Sequence, residues 1–253
     1  MKTLCLHGAY GSAANFRVQL GPFIDSIENP GNVDFKCIDG GHVATPPKGF
    51  EAYFGAPPLF RFINFDGIEG LDDMLVKIRH VPEGMSAEDT MRNLIGDKDV
   101  FSGPAVKSTM DRLCEMLDED HEIEGILGYS EGATAAATLI LEERRRFEEE
   151  GRPRRIKYAV FFAGWPPVAL KGDKVQCLLA DECEDIIDVP TCHIVGCKDP
   201  YIGGAMALYS MCNEDTAILF DHGKGHTMPR DAITIKELSA AVEQTFARRE
   251  AAV

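Results

Sequence analysis

Directly after the strand-like run Ile123 to Leu127 the chain reads Gly128-Tyr129-Ser130-Glu131-Gly132, and an Ala-rich run follows from Ala133 to Leu141. A strand that must become a helix across so few residues needs a tight turn, and the two glycines keep side chains out of its way. Junctions of this kind belong to sheets whose strands run parallel and are joined by helices. The rest of the sequence keeps step with that reading. Apolar strand-like runs near 2–7, 33–38, 123–128, 157–163, 190–196 and 216–221 alternate with helical segments near 13–27, 104–119, 131–149, 203–212 and 230–249. Tyr158-Ala159-Val160-Phe161-Phe162 is apolar without a break, as a strand covered on both faces should be. Ile235, Leu238, Val242 and Phe246 recur at intervals of three or four, the period of a half-buried helix. The expected fold class is α/β, with a mostly parallel central sheet flanked by helices and residues 1–253 forming a single domain.

Between residues 40 and 103 the alternation fails. This stretch carries Pro46-Pro47, Pro57-Pro58 and the aromatics Phe50, Tyr53, Phe54, Phe60, Phe62 and Phe65. Long irregular segments inside a domain are usually functional or disordered, and so many aromatics argue against disorder. The segment is expected to be a lid-like insertion over the C-terminal edge of the sheet, where open α/β folds bind ligands.

Charge excludes some partners. A formal net charge of -15 is wrong for nucleic acid, whose phosphates call for clustered Lys and Arg. The one basic run, Arg144 to Arg146, is flanked by Glu142, Glu143 and Glu148 to Glu150, and reads as a solvated helix end. No apolar run approaches the roughly 20 residues of a membrane span. Lys2 to Leu6 already reads as a strand rather than a signal peptide, which places the protein in the cytosol. The eight cysteines fit a reducing compartment: Cys5, Cys192 and Cys197 lie in or beside apolar strand patterns, and no C-x-x-C pair exists. The cluster Asp181, Glu182, Glu184 and Asp185 reads as a solvated loop. Neither metal nor organic cofactor is expected.

Gly128 to Gly132 also fits G-x-S-x-G, in which Ser130 would sit at a helix N-terminus as a nucleophile. A serine hydroxyl is a poor nucleophile at neutral pH and needs a base, itself oriented by an acid. In α/β-hydrolases these follow in the order Ser, acid, His, each on a loop after a later strand. Asp199 follows the strand Thr191 to Gly196, whereas Asp188 and Asp215 precede strands and Asp221 lies too near the histidine. The loop after Ala217 to Phe220 offers His222 and His226, and His226 has the reach to return over Ser130. The catalytic set is therefore Ser130, Asp199 and His226. Leu6-His7-Gly8-Ala9-Tyr10 follows the first strand and supplies an oxyanion hole through the N–H of Ala9, with the N–H of Glu131 as second donor. His7 reads as a structural hydrogen-bonding residue. Tyr10, Tyr129, Phe54 and Phe60 are the expected substrate-binding residues, for a mostly apolar substrate.

Leu4 to Gly8, the elbow Gly128 to Gly132, Val195-Gly196 with Asp199-Pro200, and His222-x-x-Gly225-His226-x-x-Pro229 together resemble the fungal serine hydrolase family often called the FSH1 family. Phe35 to Gly40 and the aromatic stretch behind it fit as well, so the likeness covers nearly the whole chain. It implies a compact α/β-hydrolase without metal or cofactor. It further implies an esterase, or a thioesterase releasing polyketide chains from a fungal synthase in secondary metabolism. Glu131 departs from that family, which commonly carries Gln there. The hole uses the backbone and should survive, but a carboxylate beside a developing oxyanion would weaken catalysis or change its pH dependence.

The expected activity is thus hydrolysis of an acyl substrate, free or carrier-protein-bound, with a thiol or alcohol as leaving group. A β-diketone undergoing retro-Claisen C–C cleavage is the variant the same residues would serve. A non-catalytic binding protein is the reading from a different class, and would be marked by loss of one catalytic residue.

Overall fold

A computed structural model describes residues 1–27, 33–49, 54–63, 76–78, 81–82, 84–95, 101–171 and 174–249. The apolar runs build one six-stranded sheet: β1 (Lys2–Leu6), β2 (Asp34–Ile38), β5 (Ile123–Tyr129), β6 (Tyr158–Phe162), β9 (Thr191–Val195) and β10 (Ala217–Asp221), in spatial order β10-β9-β6-β5-β1-β2. Every pairing in it is parallel. Helices α1 (Ala13–Ile24), α3 (Gly103–Glu119), α4 (Glu131–Glu150), α5 (Ile202–Ser210) and α6 (Ala232–Arg248) provide the crossovers and flanks, several ending a residue or more short of the expected limits.

The two-residue period of the strands sorts the core into two halves. Leu4, Leu6, Ile126, Ala159 and Phe161 face a cluster shared with α3 and α4. Cys5, Leu127, Tyr158, Val160, Phe162, Cys192 and Ile194 face α1 and α6 through Phe16, Leu20, Val242 and Phe246. All five residues of β6 are buried. This is the α/β-hydrolase fold expected from the sequence, with helices on both faces of a parallel sheet.

The insertion contains more regular structure than its sequence suggests. β3 (His42–Ala44) pairs antiparallel with β4 (Leu59–Arg61), and α2 (Ala87–Ile95) follows. Phe62, Ile63, Met91 and Leu94 are buried in the α3–α4 half of the core. Phe50, Tyr53 and Phe65 lie outside the described residues. A second hairpin, β7 (Val168–Lys171) with β8 (Lys174–Cys177), comes after β6 and has no counterpart in the sequence reading.

The basic run on α4 is paired mostly along its own helix. Arg144 pairs with Glu148, Arg145 with Glu142 and Glu149, and Arg146 with Glu142 and with Asp111 of α3. Asp181 and Glu182 pair with Arg92 of α2. Among the described residues no cluster of His, Cys, Asp and Glu is placed to hold a metal. No helix among them is long and apolar enough to cross a membrane. All eight cysteines are free thiols.

Candidate active site

The strand order brings one edge of the sheet to a single point. The loops after β1, β5, β9 and β10 all leave from the C-terminal ends of their strands, and the predicted residues lie on them. Ser130 joins β5 to α4 with φ 52° and ψ -120°, in a region that a side chain rarely adopts. Holding such a conformation costs on the order of 1–3 kcal/mol, which the surroundings must supply. Part of that supply is visible: the Ser130 N–H donates to the carbonyl of Phe162 at 2.8 Å, and the Ser130 carbonyl accepts from Ala133 at 2.9 Å.

The glycines of the pentad are required for space. A Cβ on Gly128 would lie 2.4 Å from the Cα of Ala133, and one on Gly132 would lie 2.3 Å from the carbonyl oxygen of Leu6. Positive φ belongs to the serine between them and to neither glycine.

His226 Nε2 lies 3.1 Å from Ser130 Oγ, and His226 Nδ1 lies 2.7 Å from Asp199 Oδ2. The Asp199 side chain is 2% exposed, and its second oxygen accepts the Tyr201 N–H at 2.8 Å, so the carboxylate is fixed at both ends. With Nδ1 donating to the carboxylate, Nε2 is the ring nitrogen left to accept a proton from the serine. The alternatives in the sequence have other partners. Asp221 accepts from the N–H groups of Cys197 and Gly223, at 2.9 and 2.8 Å, and these bonds hold its carboxyl below the usual range. His222 packs against the backbone at Gly196, where a Cβ would come within 2.8 Å of its ring, and burial lowers its pKa.

The two expected oxyanion donors flank the serine from neighbouring strands. Ala9 follows β1 and Glu131 opens α4, and the described residues offer no acceptor to either N–H. The Ala9 loop is held by His7, which is 1% exposed. Its ring donates to the Gly8 carbonyl at 2.7 Å through Nδ1 and accepts the Gly40 N–H at 3.0 Å through Nε2. Burial lowers the His7 pKa, in keeping with a neutral ring that both donates and accepts. His7 is thus the structural residue the sequence suggested.

Among the expected substrate-binding residues, Tyr10 and Phe54 meet with ring centroids 5.0 Å apart. Phe60 is tied by its N–H to the Gly11 carbonyl at 2.8 Å. Tyr129 lies 5.4 Å from the His226 ring and donates its hydroxyl to the His226 carbonyl at 3.3 Å. Three residues that sequence reasoning missed also stand here. Tyr201 packs against His226 at 4.9 Å and against Trp165 at 6.1 Å, walling the acid side of the site. Arg61 binds the Glu131 carboxylate. Tyr201 carried a signal, lying two residues past the acid. The chain around Trp165 and Arg61 offered none.

The carboxylate of Glu131 is engaged by the end of β4 and the residues after it. Its Oε1 accepts from the N–H groups of Phe62 and Ile63 at 2.7 and 3.1 Å, and its Oε2 from Arg61 Nε at 2.7 Å. The arrangement can do acyl transfer: a serine beside a base, a base beside an acid, and two unengaged N–H groups alongside.

Comparison with known proteins places the chain in a family. The profile of the family described as Serine hydrolase (FSH1) matches residues 1–238. The chain is similar to Esterase FPY3 of Fusarium mangiferae, with 24% identity over 98% of both chains. It is similar also to Hydrolase phiM of a fungal species (strain ATCC 74256), with 24% identity over 98% of this chain and 96% of that one. Among solved structures, the crystal structure of esterase PE8 shares the fold at a TM-score of 0.53 and 19% identity, over 96% of this chain and 92% of that one.

Proposed function

The chain belongs to the serine hydrolase (FSH1) family, and on that premise we propose that Ser130, His226 and Asp199 hydrolyse an acyl ester or thioester. The observation that carries this reading is the continuous contact from Asp199 Oδ2 through the His226 ring to Ser130 Oγ, at 2.7 and 3.1 Å. His226 Nε2 takes the hydroxyl proton as Ser130 Oγ bonds to the acyl carbon. The N–H groups of Ala9 and Glu131 receive the negative oxygen. The bond to the leaving thiol or alcohol then breaks, and His226 returns the proton to it. Water, deprotonated by the same imidazole, attacks the acyl-serine; the acyl bond to Ser130 Oγ breaks, the imidazolium returns the proton to that oxygen, and the acid leaves. Ser130 cannot lend its own N–H to the hole while Phe162 holds it, so Ala9 and Glu131 are the donors this reading requires.

The acyl group is proposed to be an apolar polyketide chain, supplied as a small-molecule ester or on the thiol of a carrier protein of a polyketide synthase. The Tyr10–Phe54 ring contact and the Tyr129 ring beside His226 support an apolar substrate, with Phe60 proposed beside them. Residues 40–103 would act as its cover within the single domain 1–253. Eight free thiols are consistent with a reducing compartment such as the cytosol.

The test is mass spectrometry of the products from a β-dicarbonyl thioester, with Ser130→Ala as control. An intact acid with free thiol is the expected result. A shortened chain with a small acid fragment would show C–C cleavage instead. Lack of turnover, with simple aryl esters also untouched, would sink the enzymatic reading and favour a binding protein.

A further inference from the structure

Glu131 occupies two roles at one position. Its N–H is a proposed oxyanion donor, while its carboxylate is turned beneath β4 and takes hydrogen bonds from Arg61 Nε, Arg61 Nη2, Phe62 N and Ile63 N. The two charged side chains are 5% and 7% exposed. A buried ion pair is tolerable only when the remaining lone pairs are satisfied, and here each carboxylate oxygen has two donors.

Arg61 reaches the other half of the site as well. Its guanidinium lies over the Tyr10 ring, 5.2 Å from the centroid, and Tyr10 directly follows Ala9. Tyr10 has a positive φ of 56°, a conformation its surroundings must hold. The residues either side of Arg61 are fastened as well. Phe60 N–H donates to Gly11 at 2.8 Å, and Thr109 Oγ1 donates to the Phe62 carbonyl at 2.5 Å. Gly40 lets the backbone of Arg61 pass, since a Cβ there would lie 2.3 Å from the Arg61 carbonyl oxygen.

We infer that Arg61 is a positioning residue for the oxyanion hole, fixing the spacing of the Ala9 and Glu131 N–H groups and neutralising the Glu131 charge. The inference rests on the reading of Ser130 as nucleophile. The physical argument has two parts. Hole donors act through placement, and a misplacement of about 1 Å can cost on the order of a hundredfold in rate. A carboxylate stripped of its cation would oppose negative charge developing at its own N–H.

The experiment compares wild type, Arg61→Met, Arg61→Lys and the double variant Arg61→Met with Glu131→Gln. The readouts are kcat and KM on an aryl ester, the rate of Ser130 labelling by a fluorophosphonate, and the thermal midpoint. Arg61→Met is expected to lose about ten- to a hundredfold in kcat and in labelling rate with KM unchanged. The double variant is expected to recover the part of that loss due to the uncompensated charge, while the part due to donor spacing remains. The amide oxygen that Glu131→Gln leaves in place still accepts from Phe62 and Ile63, and the uncompensated charge is gone. Arg61→Lys keeps the charge but loses the planar fork and the stack on Tyr10, so an intermediate kcat is expected even if Arg61→Met fails to fold.

Wild-type kcat in folded Arg61→Lys or Arg61→Met would overturn the inference. So would a kcat loss that tracks a fallen midpoint and is not even partly restored in the double variant. Wild type inert to both ester and fluorophosphonate would bring down the reading of Ser130 itself. A reactive wild type matched by its variants would remove only the role of Arg61.

Discussion

Gly132, in the first turn of α4, lies so close to Leu6, the last residue of β1, that a Cβ on the glycine would sit 2.3 Å from the leucine carbonyl oxygen. The helix that follows the proposed nucleophile is thereby seated against the strand that leads to the Ala9 loop. Gly132→Ala should therefore push α4 off β1, lowering stability by about 1–3 kcal/mol and kcat with it. Gly21 in α1 has no atom near its Cβ position apart from its chain neighbours, but Pro22 follows it and disfavours helical backbone in a residue that bears a Cβ, so Gly21→Ala should cost less than Gly132→Ala without stabilising. Urea unfolding of both variants decides the matter: equal effects would mean that the contact at Leu6 is relaxed at little cost.

Asp199 is buried and hydrogen-bonded at both oxygens, so Asp199→Asn should keep the fold while presenting the wrong group to His226 Nδ1. A loss of roughly 10⁴ in kcat is expected on aryl esters, with the thermal midpoint little changed. Ser130→Ala should lose at least about as much and should cease to react with a fluorophosphonate. An Asp199→Asn enzyme retaining a tenth of wild-type kcat would assign the orienting role elsewhere.

Phe54 meets Tyr10 beside the proposed hole. Phe54→Ala should raise KM for an octanoyl ester more than for an acetyl ester, because only the longer chain reaches the missing ring. Equal changes for the two esters would remove Phe54 from the acyl pocket.

His193 of β9 is 1% exposed, between the rings of Phe161 and Tyr209, and its ring hydrogen-bonds with Thr191 Oγ1 at 3.1 Å. Burial pushes its pKa down to about 3, against about 6.5 in the unfolded chain. Below pH 6.5 the unfolded chain takes up a proton that the folded chain refuses. Stability from this group is therefore complete above that pH and falls by about 1.4 kcal/mol per unit as pH drops towards 3. Urea unfolding at pH 7 and pH 5 should show wild type losing roughly 2 kcal/mol more than His193→Gln. Parallel losses would show that the ring is protonated in place.

The central strands were the most legible, because strands buried on both faces are apolar throughout, as Tyr158 to Phe162 are. The approach of Ser130, Asp199 and His226 followed from strand order, which puts their loops at one edge. The hairpins were not legible. His42–Ala44 and Leu59–Arg61 are three residues each, too short to display a period, and β7 buries mainly Val168. The destination of the Glu131 side chain was hidden for another reason. Its partner, Arg61, lies in the stretch 40–103, where the regular alternation of strand and helix patterns fails. Adjacency to Ser130 in sequence suggests a carboxylate that opposes the oxyanion, whereas in three dimensions it is committed to β4.

The sheet order β10-β9-β6-β5-β1-β2 has a consequence for chirality. Ala9 comes from the β1 side of Ser130, whereas Asp199 and His226 come from the β9–β10 side. A planar carbonyl lying between them, oxygen towards one side and leaving group towards the other, can offer Ser130 only one of its two faces. The handedness of the tetrahedral carbon is then set by which strand neighbours which. A racemic ester branched beside its carbonyl should be resolved, one mirror image being consumed ahead of the other.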